Sequence, residues 1–310
     1  MENKLKWYHG LLAIALFGGV MALEYFGLLG RGVFTTVLGE LLFAVAAVIV
    51  VLIARAALPS VFRFKRVRFL SLVGVYMMWR ALITVGVFLT ETAIYFFPKL
   101  GESSDGVTDL ITHLSFPMAI LVIAILPAVC EEMLFRGPIL RSLEFIKIPA
   151  LIIIVDGLIF AAAHLSFIKM IPITILGIYL AYLVYSSGNM FYSMFVHFIN
   201  NSLSVILVYT LLGLGGGGSA VNETAKAAAT QLQIPVSALG MTLCGCTLSP
   251  ILFYIGHYLF IRSEKRDQMP QIRLKKNWLF LTGAVGLLIF SLGFLLFALG
   301  FDEMIALSGM

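Results

Sequence analysis

Charge is what this sequence has least of. Asp, Glu, Lys and Arg make up 12% of its 310 residues, against roughly 25% in soluble globular domains. So few polar side chains cannot coat a water-soluble globule. Cysteine is scarce too. Cys130, Cys244 and Cys246 all lie in apolar stretches, and an odd number so placed makes no disulfide framework. Cys244-Gly-Cys246 is not a metal spacing either, so all three read as small buried apolar residues. A phosphate-binding loop is missing, because Gly215–Gly218 is not followed by Gly-Lys-Ser/Thr. There is no internal repeat, and the net charge of +5 comes from short clusters between apolar runs. That distribution speaks against nucleic acid and for membrane orientation.

Apolar residues are abundant: 61% of the chain, with a mean hydropathy of +1.03. A membrane-spanning helix needs about 20 mostly apolar residues, because the hydrocarbon core is roughly 30 Å thick. Nine stretches qualify, at about 8–29, 33–54, 69–97, 116–136, 149–166, 170–186, 190–213, 237–261 and 278–300. The expected fold is therefore all-α, a polytopic transmembrane helix bundle of about nine spans. It is read as one membrane domain over 1–310. The first stretch has Lys4 and Lys6 before it, but its apolar run continues past Glu24 to Leu29. That is long for a signal peptide, and an uncleaved helix is expected. Gly213–Gln233, Gly-rich and then Ala-rich and polar, reads as an outer loop and includes the formal glycosylation sequon at Asn222.

Orientation follows from Lys and Arg. With the N-terminus inside and nine spans, 16 of the 21 basic residues fall on the inner side. They are Lys4, Lys6, Arg55, Arg63, Lys65, Arg66, Arg68, Arg136, Arg141, Lys147, Arg262, Lys265, Arg266, Arg273, Lys275 and Lys276. Four (Arg31, Lys99, Lys169 and Lys226) fall outside, and Arg80 lies within a span. The expectation is an integral protein of a bacterial cytoplasmic membrane, N-terminus inside and C-terminus outside.

Ionisable groups inside a membrane are costly, so those present are candidates for function. Three clusters stand out: Glu131-Glu132 with Arg136, Phe160 with His164, and His197 with Asn201. Adjacent helical residues diverge by about 100°, so Glu131 and Glu132 cannot share a face. Glu132 and Arg136 stand at i and i+4 in the favoured order for an ion pair. Glu132 then reads as structural, and its loss is expected to leave Arg136 without a counter-charge. Glu131 is left free to aim elsewhere. Pro127 can kink the helix beside it. His197 and Asn201 are also one turn apart on one face, and Ala161–Ala163 allow close helix approach. A carboxylate, two imidazoles and an amide in one cavity suit hydrolysis by general base and oxyanion stabilisation. The bland alternatives are interhelical hydrogen bonding for the histidines and Asn201, and simple ion pairing for the glutamates.

Glu-Glu-x-x-x-Arg, Phe-x-x-x-His and His-x-x-x-Asn, in that order and each on an expected span, resemble the three motifs of the CAAX-protease and bacteriocin-processing family. That family includes the type II CAAX prenyl endopeptidases. The resemblance covers roughly 121–207, within a core at 116–213. It implies an intramembrane endopeptidase acting on a peptide or membrane-protein substrate among membrane lipids. Glu131, helped by His164, would activate water; His197 and Asn201 would stabilise the oxyanion; Glu132 and Arg136 would support the site. The sequence has no His-Glu-x-x-His pair, and no cofactor is expected. Glu131, His164 and His197 could still form a three-ligand zinc site. Cys130 points off the Glu131 face and is not expected to act as nucleophile. The competing reading on the same fold is a non-proteolytic scaffold or a bacteriocin-immunity or regulatory protein. One tension remains in depth: Glu131 lies near the inner end of its span and His164 toward the outer end of the next. A later start of the fourth span, or a dip of Arg136–Ile148 into the membrane at Gly137-Pro138, would relieve it.

Overall fold

The computed structural model describes residues 5–30, 32–102, 106–215, 234–264 and 274–301. Every regular element among the described residues is helical. The reason is the solvent: in hydrocarbon each backbone N–H and C=O must be satisfied internally, which a helix does segment by segment. Eight helices are long and apolar enough to cross a membrane. They are α1 (Trp7–Tyr25), α2 (Val33–Ile53), α3 (Phe69–Phe96), α4 (Phe116–Ile146), α6 (Phe167–Ser187), α7 (Met190–Gly215), α8 (Val236–Glu264) and α9 (Lys276–Leu299).

The ninth, α5, is shorter than expected: Pro149–Ala163, 15 residues. At 1.5 Å per residue it is about 22 Å long, less than the roughly 30 Å hydrocarbon core. Its apolar run stops at Ala163, and Leu165 turns the chain with a φ of 49°. Conversely, the fourth stretch does not stop at Arg136. Gly137 has a non-helical ψ of −107° inside a π segment, Phe135–Ile139, so the expected break at Gly137-Pro138 kinks the helix without ending it. The expected Gly- and Ala-rich outer loop, with its sequon, lies outside the described residues from residue 216 onward.

The described helices group into two compact units. The first comprises Met1–Lys65, Ser104–Ala163 and Gly177–Ala227; the second comprises Arg66–Ser103, His164–Leu176 and Ala228–Met310. Within the first, α2 and α7 pack on α4, and α1 on α2. The half of α6 in this unit meets α5 backbone to backbone. A Cβ on Gly157 would fall 2.5 Å from the Ile178 nitrogen, and one on Gly177 would fall 2.9 Å from the Gly157 carbonyl oxygen. Only glycine permits that crossing. Within the second unit, α3 and α8 make the most extensive helix pair, and α9 packs along α8.

Candidate active site

The site is built on α4, and Pro127 shapes it. Proline has no N–H, so it cannot donate to the Ile123 carbonyl four residues earlier. The helix widens into a π segment at Ile120–Ile125, immediately before Leu126 and Pro127. The Ile123 carbonyl instead accepts a hydrogen bond from Asn201 Nδ2 of α7 at 3.2 Å. A carboxamide carries two N–H groups, and this bond uses one. Asn201 Oδ1 accepts from Asn200 Nδ2 at 3.4 Å.

One turn along α4 the two carboxylates part as the helical step requires. Glu132 is fully buried. Its Oε2 lies 3.4 Å from Arg136 Nε, the i to i+4 pair, with both side chains at 0% exposure. Its Oε1 lies 3.1 Å from His197 Nδ1. An ionised carboxylate can only accept, so Nδ1 carries the hydrogen. The other ring nitrogen, Nε2, is 3.9 Å from Glu131 Oε2. Glu131, the more open of the pair at 14% side-chain exposure, and His197 are thus the groups that face each other.

Arg136 holds the surroundings together. Its Nε is also 3.5 Å from Asp156 Oδ2 of α5, and its Nη2 donates to the Gly177 carbonyl of α6 at 3.0 Å. The guanidinium lies 4.4 Å from the Phe160 ring centroid. Phe160 in turn sets its ring edge-on to His197, centroids 5.7 Å apart at 88°. Phe160, Asp156 and Gly177 are therefore in reach only because α5 and α6 cross at Gly157 and Gly177.

The remaining expected residues fall as follows. His164 belongs to the second unit and sits exposed in the turn after α5, one residue beyond the helix rather than within a span. Cys130 is buried and free. Two buried acids were not singled out from the sequence. Asp156 is fully buried; Glu40 of α2 is 8% exposed, with an Oε2 that has no hydrogen-bond partner among the described residues. Glu131 and Glu24 act on Glu40 electrostatically. The signal for both was present: one acid in an otherwise apolar helix is a functional candidate by default.

Among the described residues no three His, Cys, Asp or Glu side chains come together in a way that could hold a metal ion. Of the three expected zinc ligands, His197 keeps only Nε2 open because Nδ1 is held by Glu132, and His164 lies exposed beyond α5.

Compared with known proteins, residues 113–203 match the family described as type II CAAX prenyl endopeptidase Rce1-like. The match includes all three motifs and Asp156 and is a likeness of that segment to the family. No curated protein and no solved structure matches. The family is one of proteases, and eight apolar helices of spanning length make this an integral membrane protein.

Proposed function

We propose, from the family that residues 113–203 match, that the protein is a membrane-embedded endopeptidase that hydrolyses a peptide bond with a glutamate-activated water. The observation that carries this reading is the 3.9 Å gap between Glu131 Oε2 and His197 Nε2. That is too long for a direct hydrogen bond, and a water oxygen at about 2.8 Å from both atoms fits it.

Glu131 takes a proton from this water, and the hydroxide oxygen bonds to the substrate carbonyl carbon. The carbonyl π electrons move to oxygen. The oxyanion is stabilised by His197 and by the second N–H of Asn201. Glu132 already accepts the Nδ1 hydrogen, so His197 donates from Nε2 only as the imidazolium. The tetrahedral species collapses, the C–N bond breaks, and the proton held by Glu131 passes to the leaving amine. Glu132 and Arg136 support His197. No step uses a metal. The substrate is a peptide or membrane-protein segment entering from lipid or cytosol, and the setting is a bacterial cytoplasmic membrane.

The test is comparative peptidomics of cells carrying wild-type and Glu131→Ala protein. Specific fragments present only with the wild type are expected. Purified protein treated with a zinc chelator should still cleave the peptide so identified. Identical peptide profiles, with full cellular function for Glu131→Ala, would establish the scaffold reading instead. Activity lost on chelation and regained with zinc would overturn the metal-free mechanism.

A further inference from the structure

Asp156 lies in none of the three motifs, yet it completes a buried chain of charges. Arg136 Nε is nearly equidistant from two carboxylates, 3.4 Å from Glu132 and 3.5 Å from Asp156. Glu132, Arg136 and Asp156 all have 0% exposure. Neither distance is a good hydrogen bond, and Arg136 Nε and Nη1 have no hydrogen-bond partner among the described residues. The guanidinium therefore sits between the two acids as a shared charge and is not forked onto either one. Two carboxyl groups thus share one guanidinium, and all three side chains are fully buried. Glu132 also meets His197, whose Nδ1 hydrogen goes to Glu132 Oε1 at 3.1 Å.

We propose that Asp156 is a positioning residue of the hydrolytic site: by sharing Arg136, it leaves Glu132 Oε1 free to hold His197 with Nε2 toward Glu131. Without the Asp156 carboxyl group, Arg136 and Glu132 stand one to one. An arginine and a single carboxylate prefer the two-pronged pair. Glu132 turns both oxygens to the guanidinium, and His197 Nδ1 loses its acceptor. The ring is then free to rotate away from Glu131. Phe160 packs T-shaped against His197 but offers no acceptor. The catalytic consequence rests on the endopeptidase reading above; the orientation of His197 does not.

The two are tested separately. Full-length protein in detergent micelles, labelled with ¹⁵N at its five histidines, reports the ring nitrogens of His197, identified by their loss in His197→Gln. In the wild type the Nδ1 signal is that of a protonated nitrogen bonded to a carboxylate. In Asp156→Asn this signature is lost. In Asp156→Glu it persists. In Asp156→Asn/Arg136→Gln it returns, because the guanidinium no longer competes with His197 for Glu132. The double variant and Asp156→Glu keep the test decisive if Asp156→Asn does not fold. With the peptide identified above, Asp156→Asn lowers kcat by about 10²-fold, the typical effect of displacing a catalytic group, and leaves KM unchanged. Asp156→Glu recovers most of it. If Asp156 serves folding alone, Asp156→Asn lowers the melting temperature while the His197 signals stay as in the wild type, and the proposal is overturned. Absence of the signature in the folded double variant overturns it as well. If no peptide is ever found to be cleaved, the endopeptidase reading fails while the His197 signals still decide the role of Asp156.

Discussion

Glu131 and Glu132 are neighbours in sequence with different surroundings, and the difference sets what each substitution does. Glu131 faces His197 Nε2 across 3.9 Å, and Glu131→Gln keeps its size while removing the base. A folded protein is expected, with cleavage reduced by roughly 10²–10⁴-fold. Glu132→Gln departs from the expectation drawn from spacing alone. Arg136 would not be stranded, because Asp156 remains 3.5 Å away. The stability loss should fall well short of the roughly 3–5 kcal/mol of an unpaired buried charge. The main effect is on His197, whose charge-assisted hydrogen bond becomes a neutral one, about half as strong; cleavage falls about tenfold. The full stability penalty moves to Arg136→Gln, which leaves Glu132 and Asp156 buried without a cation. Melting temperature and peptide cleavage for the three variants check the set. Normal cleavage by Glu131→Gln together with a stable, inactive Glu132→Gln would make Glu132 the base.

At the scale of the element, α4 departs from a regular helix at the two places that serve the site. The π segment at Ile120–Ile125 follows from the N–H that Pro127 lacks, and the carbonyl so released anchors Asn201. Pro127→Ala restores the N–H. Alanine is favoured over proline by about 3 kcal/mol inside a helix, so α4 should tighten and Ile123 should return to an intrahelical bond. Asn201 then loses its acceptor. The expected result is an unchanged or raised melting temperature with turnover lowered about tenfold or more. Unchanged turnover would separate the Asn201 anchor from catalysis. The second departure, at Gly137, kinks α4 after Arg136. It takes the chain on to α5, whose contacts with α6 bring Asp156 and Gly177 to the guanidinium.

At the scale of the whole molecule, the number of crossings decides orientation. Eight helices have spanning length, and α5 with its 15 residues does not reach it. Eight crossings put both termini on one side; nine put them on opposite sides. The proposed arrangement keeps α5 as a short crossing, because only an odd count between the termini keeps the Arg55–Arg68 and Arg262–Lys276 clusters both on the inner side. Cysteine-accessibility labelling at positions 2 and 308 is expected to find the first inside and the second outside. Both on one side would make α5 a non-spanning segment.

The sequence by itself determined the solvent, the all-helical class and the position of nearly every span, because hydropathy is a local property summed over a window. It also determined that Glu132 and Arg136 can meet and that Glu131 points elsewhere, since both follow from the 100° step along one helix. It marked Pro127 as a site of irregularity without saying which acceptor would use the freed carbonyl. Contacts between segments far apart in the chain were beyond it. That Glu132 holds His197, that Asn201 bonds Ile123, and that Asp156 shares Arg136 depend on which faces of α4, α5 and α7 turn toward one another. Those faces were selected by backbone contact at Gly157 and Gly177 and by the widened turn before Pro127. Both are tertiary events: a glycine or a proline in a sequence permits them, and the packing of the neighbouring helix decides whether they happen.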